Sequence, residues 1–159
     1  MQGTNEIMSS RSILQEAIAI ARSRKMFVSE SFLVASAADN KAVIIEKTPD
    51  DLDVYDPKKD FIVCTNHFQS NGLGKTKMNI EQENESASLY RYKRLTELLN
   101  ANARLPNGQG KNTIQKTVNI LRDQKGLNGA NIGMGNEKAI NQLIAHHSIV
   151  FEPKKLIVW

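Results

Sequence analysis

Cysteine is almost absent from the chain, since Cys64 is the one cysteine among 159 residues. A single thiol excludes an internal disulfide and a metal site built from several thiolates. It also leaves the redox compartment open, because neither an oxidising nor a reducing environment is indicated. The sequence therefore assigns no cellular location.

Long hydrophobic runs and blocks of like charge are absent as well. No apolar run approaches the roughly 20 residues that a membrane helix needs. The first residues, MQGTNEIMSSRS, lack the basic start and apolar stretch of a signal peptide, although a signal upstream of Met1 stays open. The net charge is +4, but basic and acidic residues alternate, as in DDLDVYDPKKD. We therefore predict no membrane span and no nucleic-acid binding.

The composition that remains, 40% hydrophobic and 24% charged, is typical of a folded domain, and we predict one domain over residues 1–159. Helical spacing of apolar residues predicts helices over 12–24, 86–101 and 113–124. Ser12 has the position of a cap for the first helix, and Asn112 or Thr113 for the last.

Four β-rich runs predict an antiparallel sheet, and the whole chain reads as an α+β fold. We place the strands over 31–38, 41–48, 60–66 and 143–151, with the three helices on one face. The pair Asp39-Asn40 tolerates the left-handed backbone of a tight hairpin between the first two strands. The polar segment 69–85 is predicted to be a long, mobile loop.

Three hydrogen-bonding side chains, Thr65, Asn66 and His67, follow the third predicted strand. Such a trio either caps the turn after the strand or forms one wall of an active site. From this pattern alone, the cap is the simpler interpretation and the active site the alternative.

Two other residue groups could carry chemistry, and both favour a structural interpretation. Cys64 and His67 could form a nucleophile and base only if the chain turns sharply at Thr65, so Cys64 reads as a small buried residue. His146 and His147 are neighbours in a predicted strand and point to opposite faces, and no third ligand lies at metal-binding spacing. We predict no metal and no cofactor.

Several segments in this order resemble one enzyme family. They are EAIAIAR, FLVASAADNKAVIIEKTP, FIVCTNHF, SASLYRYKRL and IAHHSIVFEPKKLIVW, with Glu46, Thr48 and Pro49 preceding the TNHF segment. Together they resemble the C-terminal part of the penicillin acyltransferase-like (acyl-CoA:6-aminopenicillanic acid acyltransferase) N-terminal-nucleophile hydrolases. These enzymes are relatives of choloylglycine hydrolases and acid-ceramidase-like amidases. The resemblance covers about Ile13 to Trp159.

The resemblance implies an αββα sandwich and hydrolase or acyltransferase chemistry on non-peptide C–N bonds of small acyl amides. In the family, autoproteolysis frees an N-terminal cysteine whose own amine acts as base. By position, Asn66 would donate a hydrogen bond to the oxyanion, His67 would orient Asn66 from behind, and Arg91 would hold the site or the polar end of an acyl chain. A solvated helix arginine is the alternative for Arg91.

The nucleophilic cysteine of the family would lie upstream of this chain, since Cys64 sits inside a strand and Met1 cannot replace it. The chain also stops at Trp159 within an apolar run, so we expect a C-terminal fragment. Its partner would be the N-terminal part of the same protein, and alone it would be inactive. The alternative is a non-catalytic domain of this fold that serves as a binding or interaction module.

Overall fold

The computed structural model describes residues 12–103, 112–145, 147–152 and 154–159, which form helices and antiparallel strands. This confirms the α+β class. The helices are α1 (Ile13–Ser23), α2 (Lys77–Glu85), α3 (Ser88–Ala103) and α4 (Ile114–Leu121). The strands are β1 (Glu30–Ser36), β2 (Lys41–Lys47), β3 (Leu52–Tyr55), β4 (Phe151–Glu152) and β5 (Ile157–Val158).

Helix α1 begins where the capping pattern predicts. The Ser12 side chain accepts a hydrogen bond from the backbone N–H of Gln15 at 3.2 Å. A second cap comes from the β1–β2 turn, where the Asp39 carboxylate accepts from the backbone N–H of Leu14 at 2.9 Å. In the same turn Asn40 has φ 46°, the left-handed conformation expected of the Asp-Asn pair.

Strands β1, β2 and β3 form one antiparallel sheet in that order, with α1 on one face. The core between helix and sheet consists of the buried side chains of Leu14, Val43, Ile45 and Leu52. These are aliphatic residues from α1, from alternate positions of β2 and from the start of β3, as expected for a helix packed on a pleated surface. The hydrophobic effect thus fixes which face of β2 points to α1.

The third strand is β3, and the prediction of a strand over 60–66 is wrong. Thr48 closes a tight turn in which its Oγ1 accepts from the backbone N–H of Asp51 at 2.9 Å. This turn brings Leu52–Tyr55 back along β2 at once, so β2 is already paired on both sides. Residues 60–66 cannot pair with β2 and do not pair with the outer edge of β1 or β3, so they run outside any ladder.

The strand predicted over 143–151 is also wrong for most of its length. Of its described residues, only the last one, Phe151, belongs to a strand, β4, which pairs with β5 in a separate two-stranded sheet. Leu143, Ile144 and Ile149 are exposed, so no buried face holds them in a ladder. His146 lies outside the described residues.

The helices do not share one face of the sheet, contrary to the prediction. Glu46 alternates with Ile45 along β2 and therefore points away from α1, where it contacts the backbone of Gln69 and Ser70. On the same side, Tyr55 of β3 lies beside Tyr92 of α3. The sheet thus has α1 on one face and residues 66–70 with α3 on the other.

Segment 69–85, predicted to be a loop, contains a 3₁₀ turn at Leu73–Lys75 and the whole of α2. Helix α2 (KMNIEQENE) has no apolar stripe, which is why its periodicity gave no signal. It begins at Thr76, whose hydroxyl accepts from the backbone N–H of Asn79 at 3.4 Å. The remainder of α2 is favoured by residues of high intrinsic helix propensity, namely Lys, Met, Glu and Gln.

Candidate active site

The polar trio Thr65-Asn66-His67 lies where the chain turns beneath α3 and beside α2. The backbone after it is held by side chains from other elements. Phe68 N–H donates to Asn79 Oδ1 at 2.6 Å, and Gln69 N–H donates to the Glu46 carboxylate at 2.6 Å. These contacts fix the backbone on which Asn66 and His67 are displayed.

His67 is buried between this turn and α3. Its Nδ1 lies 2.8 Å from Ser88 Oγ and 3.1 Å from Thr65 Oγ1, both hydrogen-bonding distances. The imidazole also meets the ring of Tyr92 edge-on, with centroids 5.7 Å apart. Burial lowers the pKa of His67 below 6.5, with Glu83 and Glu46 opposing the shift, so the ring is neutral at neutral pH.

Asn66, in contrast, is exposed, and its amide is oriented by α3. Arg91 Nη2 donates to Asn66 Oδ1 at 2.7 Å, and Arg91 Nη1 donates to the backbone carbonyl of Glu137 at 2.7 Å. With Oδ1 occupied as acceptor, the Nδ2 group is turned away from Arg91. No acceptor for Nδ2 lies among the residues that the structure describes. The side chain that contacts the Asn66 amide is therefore Arg91, while His67 bonds to Thr65 and Ser88.

Burial also lowers the pKa of the Arg91 guanidinium, with nearby Glu137 opposing the shift. An arginine starts from so high a value that it remains a cation at neutral pH. Arg91 therefore provides a fixed positive charge beside the Asn66 amide. Its proposed contact with a substrate stays a prediction.

A cleft of about 470 Å³ opens in front of Asn66. Its walls come from the start of β1, from the 64–68 turn and from α2, and its lining includes Ser31, Cys64, Asn66, Met78 and Gln82. This volume falls within the usual range for small-molecule sites. The lining mixes hydroxyl, amide, thiol and thioether groups, so the cleft suits a ligand with both polar and apolar parts.

Cys64 lines this cleft but is not an activated nucleophile. Burial raises the pKa of its thiol; Ser31 opposes the shift and Glu46 adds to it. Its Sγ contacts the backbone carbonyl of Thr65 at 3.8 Å, while His67 Nδ1 is engaged by two hydroxyls instead. A protonated thiol without a base does not attack a carbonyl.

Three residues that build this site were not predicted from the sequence. They are Asn79, which bonds to the backbone of Phe68, Ser88, which bonds to His67, and Glu46, which bonds to the backbone of Gln69 and Ser70. Glu46 and Ser88 are fully buried and Asn79 is nearly so. The one available signal was Glu46, an acid within the apolar run AVIIEK, because an unpaired charge there would be costly. Asn79 gave no signal, since it lies in a helix without an apolar stripe.

Neither metal binding nor membrane spanning finds support in the ranges described. Across residues 12–103, 112–145, 147–152 and 154–159, no three His, Cys, Asp or Glu side chains are close enough to share a metal ion. Within the same ranges no helix has the length and hydropathy required to cross a bilayer.

Comparison with known protein families gives a match over nearly the whole chain. Residues 1–158 match the model of a protein family described as acyl-coenzyme A:6-aminopenicillanic acid acyl-transferase. No curated protein and no solved structure matches the chain.

Proposed function

Because the chain belongs to the acyl-coenzyme A:6-aminopenicillanic acid acyl-transferase family, we propose that it forms part of an acyltransferase or amidohydrolase acting on small acyl amides. Its proposed contribution is the electrophilic half of the site, with Asn66 as hydrogen-bond donor to the oxyanion. The nucleophile is proposed to be an N-terminal cysteine, released by autoproteolysis, from a part of the protein outside these 159 residues.

One observation carries this proposal: the hydrogen bond from Arg91 Nη2 to Asn66 Oδ1. An asparagine amide has one acceptor and one donor end, and Arg91 occupies the acceptor end. The NH₂ group is thereby left to donate, and Asn66 lines a cleft large enough for a substrate. A fixed donor of this kind stabilises the negative oxygen of a tetrahedral intermediate without reorganising during the reaction.

The proposed reaction divides into two steps. In the first, the cysteine thiol passes its proton to the α-amine and attacks the acyl carbon, the proton then passes to the leaving nitrogen, and the C–N bond breaks. In the second, water or an amine gives a proton to the α-amine and attacks the thioester, and the C–S bond breaks as that proton returns to the cysteine sulfur. Asn66 would donate to the oxyanion in both steps, and the cationic Arg91 would keep its amide in place.

The test uses the full-length gene product and chromogenic acyl anilides with acyl chains of increasing length. We expect release of the aniline and, with a slow substrate, an acyl adduct visible by intact mass. Peptide mapping should place the adduct on an N-terminal cysteine upstream of this chain. Cys64→Ala should form the same adduct, because Cys64 has a raised pKa and no base.

Two results would overturn the proposal. An adduct on Cys64 would show that Cys64, and not an N-terminal cysteine, is the nucleophile. Absence of both turnover and adduct across the anilides, with no cysteine at a processed N-terminus, would favour a non-catalytic binding module.

A further inference from the structure

Three successive backbone N–H groups after the polar trio are bound by side chains instead of by a strand or helix. Phe68 N–H donates to Asn79 Oδ1 at 2.6 Å. Gln69 N–H and Ser70 N–H donate to the two oxygens of Glu46, at 2.6 and 3.0 Å. The chain directly beyond Asn66 is thus held from β2 on one side and from α2 on the other.

Glu46 is an unusual residue for its place. It is fully buried next to the last residue of β2, directly after the apolar run AVII, where Val or Ile would pack without a desolvation penalty. No Lys or Arg within the described ranges lies at ion-pair distance from it. Two backbone N–H groups are therefore the partners that balance its buried carboxylate.

Asn79 holds the same backbone from the other side and uses both ends of its amide. Besides accepting from Phe68 N–H, its Nδ2 donates to the carbonyl of Phe68 at 3.1 Å and to that of Gly74 at 3.0 Å. Its Nδ2 also lies 3.0 Å from Glu83 Oε1. With these four bonds the nearly buried side chain locks both peptide groups of Phe68.

We infer that Glu46 and Asn79 are positioning residues for catalysis, which act through Asn66 without touching the substrate. This inference rests on the proposed function, since it requires Asn66 to act in the reaction. The geometric reason is that residues 60–66 lie outside any ladder. Within the described ranges, the direction of the Asn66 side chain is therefore set by these bonds, by the contacts of buried His67 and by the bond from Arg91. A small displacement of a catalytic group can cost a large factor in rate.

The principal test is Glu46→Gln in the full-length gene product, assayed per active site. Glutamine keeps the volume but offers one acceptor, and its NH₂ faces one of the two N–H donors. We expect kcat to fall by about 10- to 100-fold with little change in KM. Amide hydrogen exchange at Gln69 and Ser70 should accelerate, while Glu81→Gln on the exposed side of α2 should leave both measurements unchanged.

A double-mutant cycle with Asn66→Ala distinguishes positioning from a purely structural role. If Glu46 acts through Asn66, Glu46→Gln should have almost no further effect on kcat in the Asn66→Ala background. If Glu46 only supports the fold, Glu46→Gln should lower kcat by the same factor in the wild-type and Asn66→Ala backgrounds, or should leave kcat unchanged in both. Either result overturns the inference. Should Glu46→Gln not fold, Asn79→Ala decides by the same cycle.

The outcomes also separate this inference from the proposed function. Full kcat in Asn66→Ala would overturn the oxyanion assignment, and the positioning roles with it. A different result would overturn the positioning roles alone. In that case Asn66→Ala has a low kcat, while Glu46→Gln either has a normal kcat or lowers kcat by the same factor in both backgrounds.

Discussion

Arg91 holds Asn66 by a 2.7 Å hydrogen bond from Nη2 to Oδ1, and the two residues are separated by 25 positions in the sequence. The second arm of the guanidinium binds the carbonyl of Glu137 at the same distance. Helix α3 is thereby joined both to the turn that carries Asn66 and to a distant loop. The orientation of the Asn66 amide therefore depends on Arg91, which is itself held by the Glu137 carbonyl.

The first prediction concerns Asn66 itself. In the full-length gene product, Asn66→Ala should lower kcat by about 100- to 1,000-fold with KM and stability nearly unchanged, because an oxyanion donor acts in the transition state. Steady-state kinetics measure kcat and KM, and urea denaturation measures stability. Asn71→Ala, an exposed asparagine five positions on, is the matched control. Normal turnover with about 1 kcal/mol less stability would identify Asn66 as a turn cap instead.

The second prediction concerns Arg91. Arg91→Lys keeps the positive charge, but an ammonium group lacks the planar fork that reaches Asn66 and the Glu137 carbonyl together. We expect kcat to fall by about 10- to 100-fold, because the Asn66 amide becomes free to rotate. Lys93→Ala, on the exposed side of the same helix, should have no effect.

The kinetic pattern of Arg91→Lys separates its two possible roles. A fall in kcat that disappears in the Asn66→Ala background supports orientation of the amide. A higher KM with unchanged kcat would show that Arg91 contacts the substrate instead.

The third prediction concerns pH and His67. Burial lowers the pKa of His67 in the folded protein below 6.5, so between these two values the unfolded state binds more protons and stability rises with pH. The stabilisation is fully present above pH 6.5 and is lost as the pH falls through the folded-state pKa. Urea denaturation of His67→Gln from pH 5 to 8 should show a flatter dependence in the acidic part of this range.

The control for this measurement is His147→Gln, because His147 is exposed and contributes no buried ring. It should keep the wild-type pH dependence. An identical slope in wild type and His67→Gln would show that another group produces it.

The fourth prediction concerns the buried ion pair of α3. Arg94 Nε and Nη2 bind both oxygens of Asp123 at 2.9 Å, and its side chain is 5% exposed. Asp123→Ala should lower the free energy of unfolding by about 3 to 5 kcal/mol, because it leaves a buried charge without its main partner. Urea denaturation of the full-length protein measures the loss.

The exposed pair Lys77–Glu81 is the control for charge removal at a surface. Glu81→Gln should change stability by less than about 1 kcal/mol. An equally small loss for Asp123→Ala would mean that Glu97, which also contacts Arg94 at 2.9 Å, compensates for Asp123.

Some elements of this protein could be predicted from local sequence because their determinants are local. The helix over 12–24 is confirmed as α1: its cap, Ser12, lies three residues from Gln15, whose backbone N–H donates to it, and its apolar residues recur at helical spacing. The β1–β2 hairpin follows from two β-rich runs joined by Asp39-Asn40, and Asn40 has the left-handed backbone expected there. The family itself was recognisable from short motifs in order and is confirmed over residues 1–158.

The tertiary structure determined those elements and side-chain positions that depend on contacts with residues distant in the sequence. Residues 60–66 have the composition of a strand, but the Thr48 turn places β3 beside β2 first, so no ladder position beside β2 remains. Helix α2 has no apolar period, and its place depends on Asn79 reaching Phe68. Glu46 lies 24 positions before Ser70, and Arg91 lies 25 after Asn66. Hydrogen bonds between such separated side chains leave no periodic trace, so only the folded chain shows which groups surround the cleft.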